Sequence, residues 1–165
     1  MSTRRLISVT LDASTTRDWS VDVEHERRVA IFDLLECNSF HLVKTSDENY
    51  EGPYKLHLSV LDGRLVFHVM DEAEGALMTF QLAMSPLRKI IREYFAICDS
   101  YYEAIRSATP GRIEAIDMGR RGLHNEGSEL LQQRLSGRVE VDTETARRLF
   151  TLICSLYMTG GQAVR

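Results

Sequence analysis

The chain lacks the short motifs that mark many common enzyme and binding classes. Its 165 residues contain no Cys-x-x-Cys pair, no G-x-S-x-G elbow, no G-x-x-x-x-G-K-S/T loop and no G-x-G-x-x-G following a strand. These absences argue against a zinc ribbon, a thioredoxin-type dithiol, a serine hydrolase of the elbow type, a P-loop protein and a dinucleotide-binding domain. No complete catalytic constellation is recognisable elsewhere, and we expect no cofactor.

Cysteine is scarce and long apolar runs are absent. Cys37, Cys98 and Cys154 are odd in number, far apart, and each lies in or at the end of an apolar helical pattern, which is typical of free reduced thiols. No stretch approaches the roughly 18 apolar residues of a membrane span, and the N-terminus has no apolar signal-peptide core. We therefore expect a cytoplasmic protein that is not bound to a membrane.

Positive charge is not in excess. The net charge is −4 and the pI is about 5.7, which argues against bulk binding to nucleic acid or anionic membranes. The charge is uneven, because residues 1–85 hold 8 basic and 14 acidic side chains whereas 86–165 hold 12 and 10. An anionic partner would therefore contact the C-terminal half.

The strongest helical signal runs over residues 85–107. Ser85 is a predicted N-cap, and Pro86 suits the first helical position. The apolar residues at helical spacing are Leu87, Ile90, Ile91, Tyr94, Ile97, Cys98, Tyr101, Tyr102 and Ile105. This broad stripe predicts a central helix packed on a sheet on one flank and on other helices on the opposite flank.

A β-hairpin is predicted at residues 54–71. Asp62-Gly63 separates two alternating runs and favours a type I′ turn, which sets the strand register. The predicted core pairs are Leu56 with Val69, Leu58 with Phe67 and Val60 with Leu65. The same register places His57 opposite His68 on the other face, and a third strand at 76–82 continues the alternation.

The remaining segments complete an α+β pattern. A strand at 4–11 with Ile7, Val9 and Leu11 inward precedes a helix from Asp22 to about Glu36, whose outer face includes Arg27 and which Asn38 ends in the left-handed conformation. We predict a single α+β domain over 1–165, with an antiparallel sheet of about four to five strands packed against a long central helix and further C-terminal helices. A flexible loop at about 44–53 and a frayed tail at about 159–165 are also expected.

The densest polar cluster spans residues 117–128. Gly122 is predicted to end one helix and Asn125 to cap the next, so free amides near 125–128 would favour an anion such as phosphate or carboxylate. The candidate site residues are Asp117, Arg120, Arg121, His124, Asn125, Glu126 and Ser128. A structural or partner-contacting role is the simplest interpretation. A catalytic one makes His124 a general base oriented by Asp117 or Glu126.

His57 and His68 form a weaker candidate. Directly opposed side chains on a hairpin lie about 5 Å apart at Cβ, close enough to share a transition metal. The sequence identifies no third or fourth ligand for them. The simpler interpretation is two histidines on the less buried face of the sheet.

Four segments of the chain resemble one known family. Residues 101–110, 113–128 and 142–154, together with 23–36, are similar to UPF0262, a family of small uncharacterised bacterial proteins. The resemblance implies a bacterial, cytosolic, single-domain protein. It implies no reaction and no catalytic residues.

Two functions from different classes fit these observations. The first is a non-enzymatic interaction or regulatory protein that binds a larger cytosolic protein, and homo-oligomer formation is left open. The alternative is a small enzyme or ligand-binding domain for a phosphorylated or carboxylated metabolite. The discriminating feature is whether Arg120, Arg121, His124 and Glu126 line one concave pocket.

Overall fold

The computed structural model describes residues 3–12, 21–43, 45, 49–159 and 162–163. In chain order the elements are β1 (Leu6–Leu11), α1 (Val21–Glu36), β2 (Phe40–Leu42), β3 (Tyr54–Leu61), β4 (Arg64–Met70), β5 (Ala76–Ala83), α2 (Ser85–Ser107), α3 (Pro110–Leu135), β6 (Val139–Val141), α4 (Thr143–Leu156), β7 (Met158–Thr159) and β8 (Gln162–Ala163). The α+β class is confirmed. Parts of the predicted loop 44–53 and tail 159–165, and the side chain of Asp22, lie outside what is described.

The main sheet has the strand order β1-β3-β4-β5. Asp62 and Gly63 both have positive φ, at 51° and 73°, as the predicted type I′ turn requires. The predicted pairs of β3 with β4 are confirmed, and β5 continues the register with Phe80 opposite Phe67. Since Leu58 and Phe67 are fully buried, this face of the sheet forms one wall of the core.

Strand β1 departs from the predicted pattern in two ways. It pairs with β3 in parallel, so the sheet is mixed rather than wholly antiparallel. A register shift between Leu6 and Ser8 also turns Leu6 and Val9 inward and leaves Ile7 half-buried. The parallel pairing follows from the crossover through α1 and β2, which returns the chain to the sheet in the original direction.

Asn38 joins α1 to β1 through its side chain. Its amide group donates to the carbonyls of Leu34 (2.9 Å) and Leu6 (3.0 Å), and its carbonyl accepts from the Leu6 amide (2.7 Å). Its φ is not positive, so the predicted left-handed stop is wrong. The side chain instead satisfies backbone groups at the helix end and at the start of β1.

The helices are buried to different degrees. α4 contacts both α1 and α3, and nine of its side chains are buried, which makes it the most enclosed helix. α2 keeps its predicted bounds, but Met84 rather than Ser85 occupies the N-cap position, without a side-chain cap bond. The first half of α2 enters the core, whereas Tyr102 and Ile105 are exposed. Among the described helices, none is long and apolar enough to cross a membrane.

α3 is one continuous helix where two were predicted. Gly122 does not end a helix and Asn125 does not begin one, so the expected free amides at 125–128 are bonded within the helix. The outer ends are as predicted, with Thr109 as N-cap and Gly137 at φ 90° beyond the C-terminus. Gly127 serves packing instead, because a Cβ there would lie 2.2 Å from Cζ of Phe150 on α4.

Arg27 is buried rather than solvated. Its side chain lies at the face of α1 that meets α4, where Nε and Nη2 donate to the carbonyl of Ser155 at 3.0 and 2.5 Å. Only 1% of Arg27 is exposed, and burial lowers its pKa to about 9. The spacing of Arg27, Ala30 and Leu34 places all three on one helical face. Because Arg27 is charged, it was predicted to lie on the outer face instead.

Candidate functional site: an arginine pocket between α3 and α4

The predicted polar cluster on α3 faces a second polar row on α4. The two rows enclose a concave cavity of about 340 Å³, which we call the arginine pocket. It is lined by Tyr94, Arg120, Arg121, His124, Glu144, Arg147, Arg148 and Thr151. The α4 members recur at intervals of three and four residues, so one face of that helix supplies all of them. This half of the pocket was not predicted, although the spacing of its residues is visible in the sequence.

Asp117 holds the two α3 arginines in place. Its Oδ1 accepts from Nη2 of Arg120 at 2.5 Å, and its Oδ2 lies 3.2 Å from Nε of Arg121. The hydrogen bond from Arg120 and the charges of both arginines lower the pKa of Asp117. Arg120 also lies over the ring of Tyr101, 4.7 Å from its centroid, in a cation–π contact.

The two α4 arginines have weaker ionic partners. Nε of Arg147 lies 3.9 Å from Glu144, and its Nη1 donates to Asn125. Nη1 of Arg148 donates to the carbonyl of Cys37 at 2.5 Å, and within the part of the chain that the structure describes no carboxylate lies within 4.0 Å of it. Four guanidinium groups thus meet two carboxylates, which leaves the pocket with net positive charge.

His124 lies at the inner wall of the pocket. Its Nε2 is 2.8 Å from Oγ1 of Thr151, and its ring contacts Tyr94 and Phe150 edge-on, with centroids 5.5 and 5.2 Å apart. Burial first, then the charges of Arg147 and Arg120, lower its pKa to about 4. The imidazole is therefore neutral at neutral pH and offers one donor and one acceptor.

The predicted histidine–carboxylate pair does not form among the described residues. Asp117 is engaged by arginines, and Glu126 is exposed and outside the pocket, whereas Nδ1 of His124 is 3.5 Å from Oγ of Ser128. A pKa near 4 lies well below the range that suits a general base at neutral pH. Arg120, Arg121 and His124 do line one pocket, and Glu126 does not.

The other predicted residues lie beside the pocket. Ser128 is buried and donates to the carbonyl of His124 at 2.7 Å, which is a bond within α3. Asn125 and Ser128 line a neighbouring cavity of about 230 Å³, which shares Glu144 and Arg147 with the arginine pocket. Neither residue lines the arginine pocket itself, although Asn125 accepts a hydrogen bond from Arg147.

The histidine pair on the sheet has the predicted register and a different environment. His57 lies opposite His68, and Nδ1 of each ring is 2.6 Å from a threonine Oγ1, on Thr10 and Thr79 respectively. Across the described residues no group of three histidine, cysteine or acidic side chains is arranged to hold a metal ion. Thr10, His57, His68 and Thr79 form a polar row across the four strands of the main sheet.

Comparison with known proteins gives a family without an assigned activity. The profile described as "Uncharacterised protein family (UPF0262)" matches residues 3–159. UPF0262 proteins of Brucella canis, Brucella melitensis and Brucella suis are each 58% identical to the chain over 156 residues, which cover 94% of it and 95% of each relative. No solved structure matches the chain.

Proposed function

Because the chain belongs to the uncharacterised protein family UPF0262, whose name carries no activity, we propose its function from the arginine pocket. The chain binds a small phosphorylated or carboxylated ligand there and does not transform it chemically. The observation that carries the proposal is the convergence of four arginines from two helices on one cavity, opposed by two carboxylates.

The chemistry of the pocket favours a multiply charged oxyanion. A guanidinium group presents several N–H donors in one plane and matches the paired oxygens of phosphate or carboxylate. Arg121, 62% of whose side chain is exposed, and Arg148, which lacks a nearby carboxylate among the described residues, are the groups most available to such a ligand. Thr151 and the neutral His124 supply further polar groups in the lining of the pocket.

A binding role fits these groups better than catalysis. The histidine has no carboxylate partner among the described residues, and its low pKa removes it from proton transfer at neutral pH. The remaining charged groups are four arginines, which keep their protons throughout the physiological range, and Glu144, which lies 3.9 Å from Nε of Arg147. The pocket therefore has more groups that hold an anion than groups that could act on it as a base.

Titration with inorganic phosphate tests the proposal. Each arginine that contacts the anion is expected to contribute about 1.5–3 kcal/mol, so Arg121→Ala and Arg148→Ala should each weaken binding roughly tenfold or more by isothermal titration calorimetry. Arg112→Ala is the matched control, since Arg112 is exposed on the same α3 helix and outside the pocket. Equal affinities for all three variants and the wild type would remove the pocket from consideration.

A role toward a larger protein remains the second candidate. Phe32 on α1 is 67% exposed, which is unusual for a phenylalanine and favours contact with another molecule. Co-purification from the native bacterium would test this candidate. A stoichiometric protein retained by the wild type and Arg112→Ala but lost by Phe32→Gln would support it, and retention by all three would exclude this surface.

A further inference from the structure

The arginine pocket adjoins a second and larger cavity. This cavity, the helix groove, has a volume of about 470 Å³, with walls from α1 and α2 and a floor from α4. Tyr94, Arg120 and Thr151 line both spaces. The two spaces therefore lie side by side at these three residues.

The helix groove is apolar at its floor and at two positions of its rim. Ala30, Phe95 and Cys154 are buried at its base, with 5%, 7% and 3% of their surface exposed. Val29 on α1 and Tyr102 on α2 stand at the rim, where they are 44% and 56% exposed. Covering such surface with an apolar group is favourable, and concave apolar surfaces of this size are typical of small-molecule sites.

The charged side chains determine how a ligand that occupies both spaces is oriented. The groove is lined by the acidic residues Glu26, Asp33 and Asp99, whereas the pocket is lined by four arginines. An anionic group is attracted to the pocket and repelled by the groove's carboxylates. A ligand with one anionic end is therefore oriented with that end among the arginines.

We propose that the ligand is a small amphiphile, with a phosphate or carboxylate head in the arginine pocket and an aliphatic body in the helix groove. This inference rests on the proposed anion-binding function and specifies the class of ligand. The head contacts Arg121, Arg148 and Thr151, and the body covers Phe95, Val29 and Tyr102. Arg120 lies at the junction, held there by Asp117 and the ring of Tyr101.

Alkyl phosphates of increasing length provide the test. Inorganic phosphate, butyl phosphate and octyl phosphate are titrated by calorimetry below the micelle concentration, with octanol and octylammonium as neutral and cationic controls. Each methylene that enters the groove should tighten binding about three- to fourfold. Octyl phosphate should therefore bind at least tenfold more tightly than phosphate, and the controls should bind far more weakly.

Two variants distinguish binding in the groove from binding in the pocket. Val29→Gln/Tyr102→Gln should remove most of the gain from the octyl chain and leave the affinity for phosphate unchanged. Ile105→Gln is the control, because Ile105 is 50% exposed on the same α2 helix and does not line the groove. Arg121→Ala should weaken phosphate and octyl phosphate by the same factor.

The possible failures are distinguishable. If phosphate binds through Arg121 but chain length and the groove variant have no effect on affinity, the amphiphile proposal is wrong. The proposed anion-binding function is then retained. If neither phosphate nor octyl phosphate binds, or octanol binds as tightly as octyl phosphate, the anion site also fails. If sedimentation shows a dimer that Val29→Gln/Tyr102→Gln separates and octyl phosphate does not bind, a second copy covers the groove and the proposal is overturned.

Discussion

The histidines of the sheet and the histidine of the pocket make similar hydrogen bonds in different surroundings. His68 and His124 each have a ring nitrogen close to a threonine hydroxyl, at 2.6 and 2.8 Å. His68 lies on the polar face of the sheet, whereas His124 lies between two aromatic rings and near two arginines. Burial first, and then the charges of Arg147 and Arg120, lower the pKa of His124.

The largest expected effect comes from breaking the contact that encloses His124. A Cβ on Gly127 would overlap Phe150, whose ring also contacts His124, so Gly127→Ala should lower the free energy of unfolding by about 1–3 kcal/mol or more. Urea denaturation followed by circular dichroism measures this change. Phosphate binding should weaken as well, because α3 and α4 must move apart.

Gly122→Ala is the matched control on the same helix. Among the described residues, no atom outside the backbone of its own helix and its two chain neighbours lies within 4 Å of the Cβ it would add, and the position is in the interior of a continuous helix. Alanine there should raise the free energy of unfolding by about 0.5–1 kcal/mol. A loss of stability from Gly122→Ala would contradict the single-helix form of α3.

A smaller effect is expected from pH. His124 has an ordinary pKa of 6.5 when unfolded and a pKa of about 4 when folded, so the unfolded chain binds more protons between these values. Stability is unaffected by this group above pH 6.5 and falls as the pH drops toward 4, by on the order of 2 kcal/mol for a partly buried ring. Denaturation curves at pH 7 and 4.5 for the wild type and His124→Gln isolate the contribution.

The same pH comparison on the sheet sharpens the contrast. His68→Gln removes a histidine with a similar threonine partner and without the aromatic enclosure. If His68→Gln changed the pH dependence as much as His124→Gln does, the effect could not be assigned to the buried ring of His124. In His124→Gln the loss of stability between pH 7 and 4.5 should become smaller.

The smallest effect is expected from the threonine on the sheet. The bond between Thr79 and His68 is exposed to water, which can replace the hydroxyl, so Thr79→Ala should change the free energy of unfolding by less than about 0.5 kcal/mol. Thermal denaturation measures it. A loss above about 1 kcal/mol would show that the polar row stabilises the sheet.

Residues close together in sequence predicted the pairing of β3 with β4, but they predicted only the α3 half of the arginine pocket. The turn at Asp62-Gly63 and the alternation beside it determine which residues pair, and every predicted pair between β3 and β4 is present. The parallel pairing of β1 depends on how the chain returns after α1, which no neighbouring residue specifies. The strand pairing was therefore predicted correctly only between strands that are neighbours in sequence.

The prediction of two helices in place of α3 was wrong for a similar reason. Gly122 and Gly127 have low helix propensity, which favours a break between two helices. Gly127 is required by Phe150 on α4, a contact across 23 positions of sequence that no local pattern encodes. Of the predicted α3 residues, Arg120, Arg121 and His124 line the pocket, whereas Arg147 and Arg148 were not among the predicted site residues because the approach of α4 could not be predicted.

Asp117 has a consequence for the selectivity of the pocket. An anion that recruits Arg120 and Arg121 must displace or share a carboxylate that is already hydrogen-bonded to the first and paired with the second. A weak monovalent anion such as chloride gains too little from the exchange, whereas a doubly charged oxyanion can engage the α4 arginines at the same time. Under the proposed function, Asp117 therefore competes with the ligand for Arg120 and Arg121 and disfavours anions of low charge.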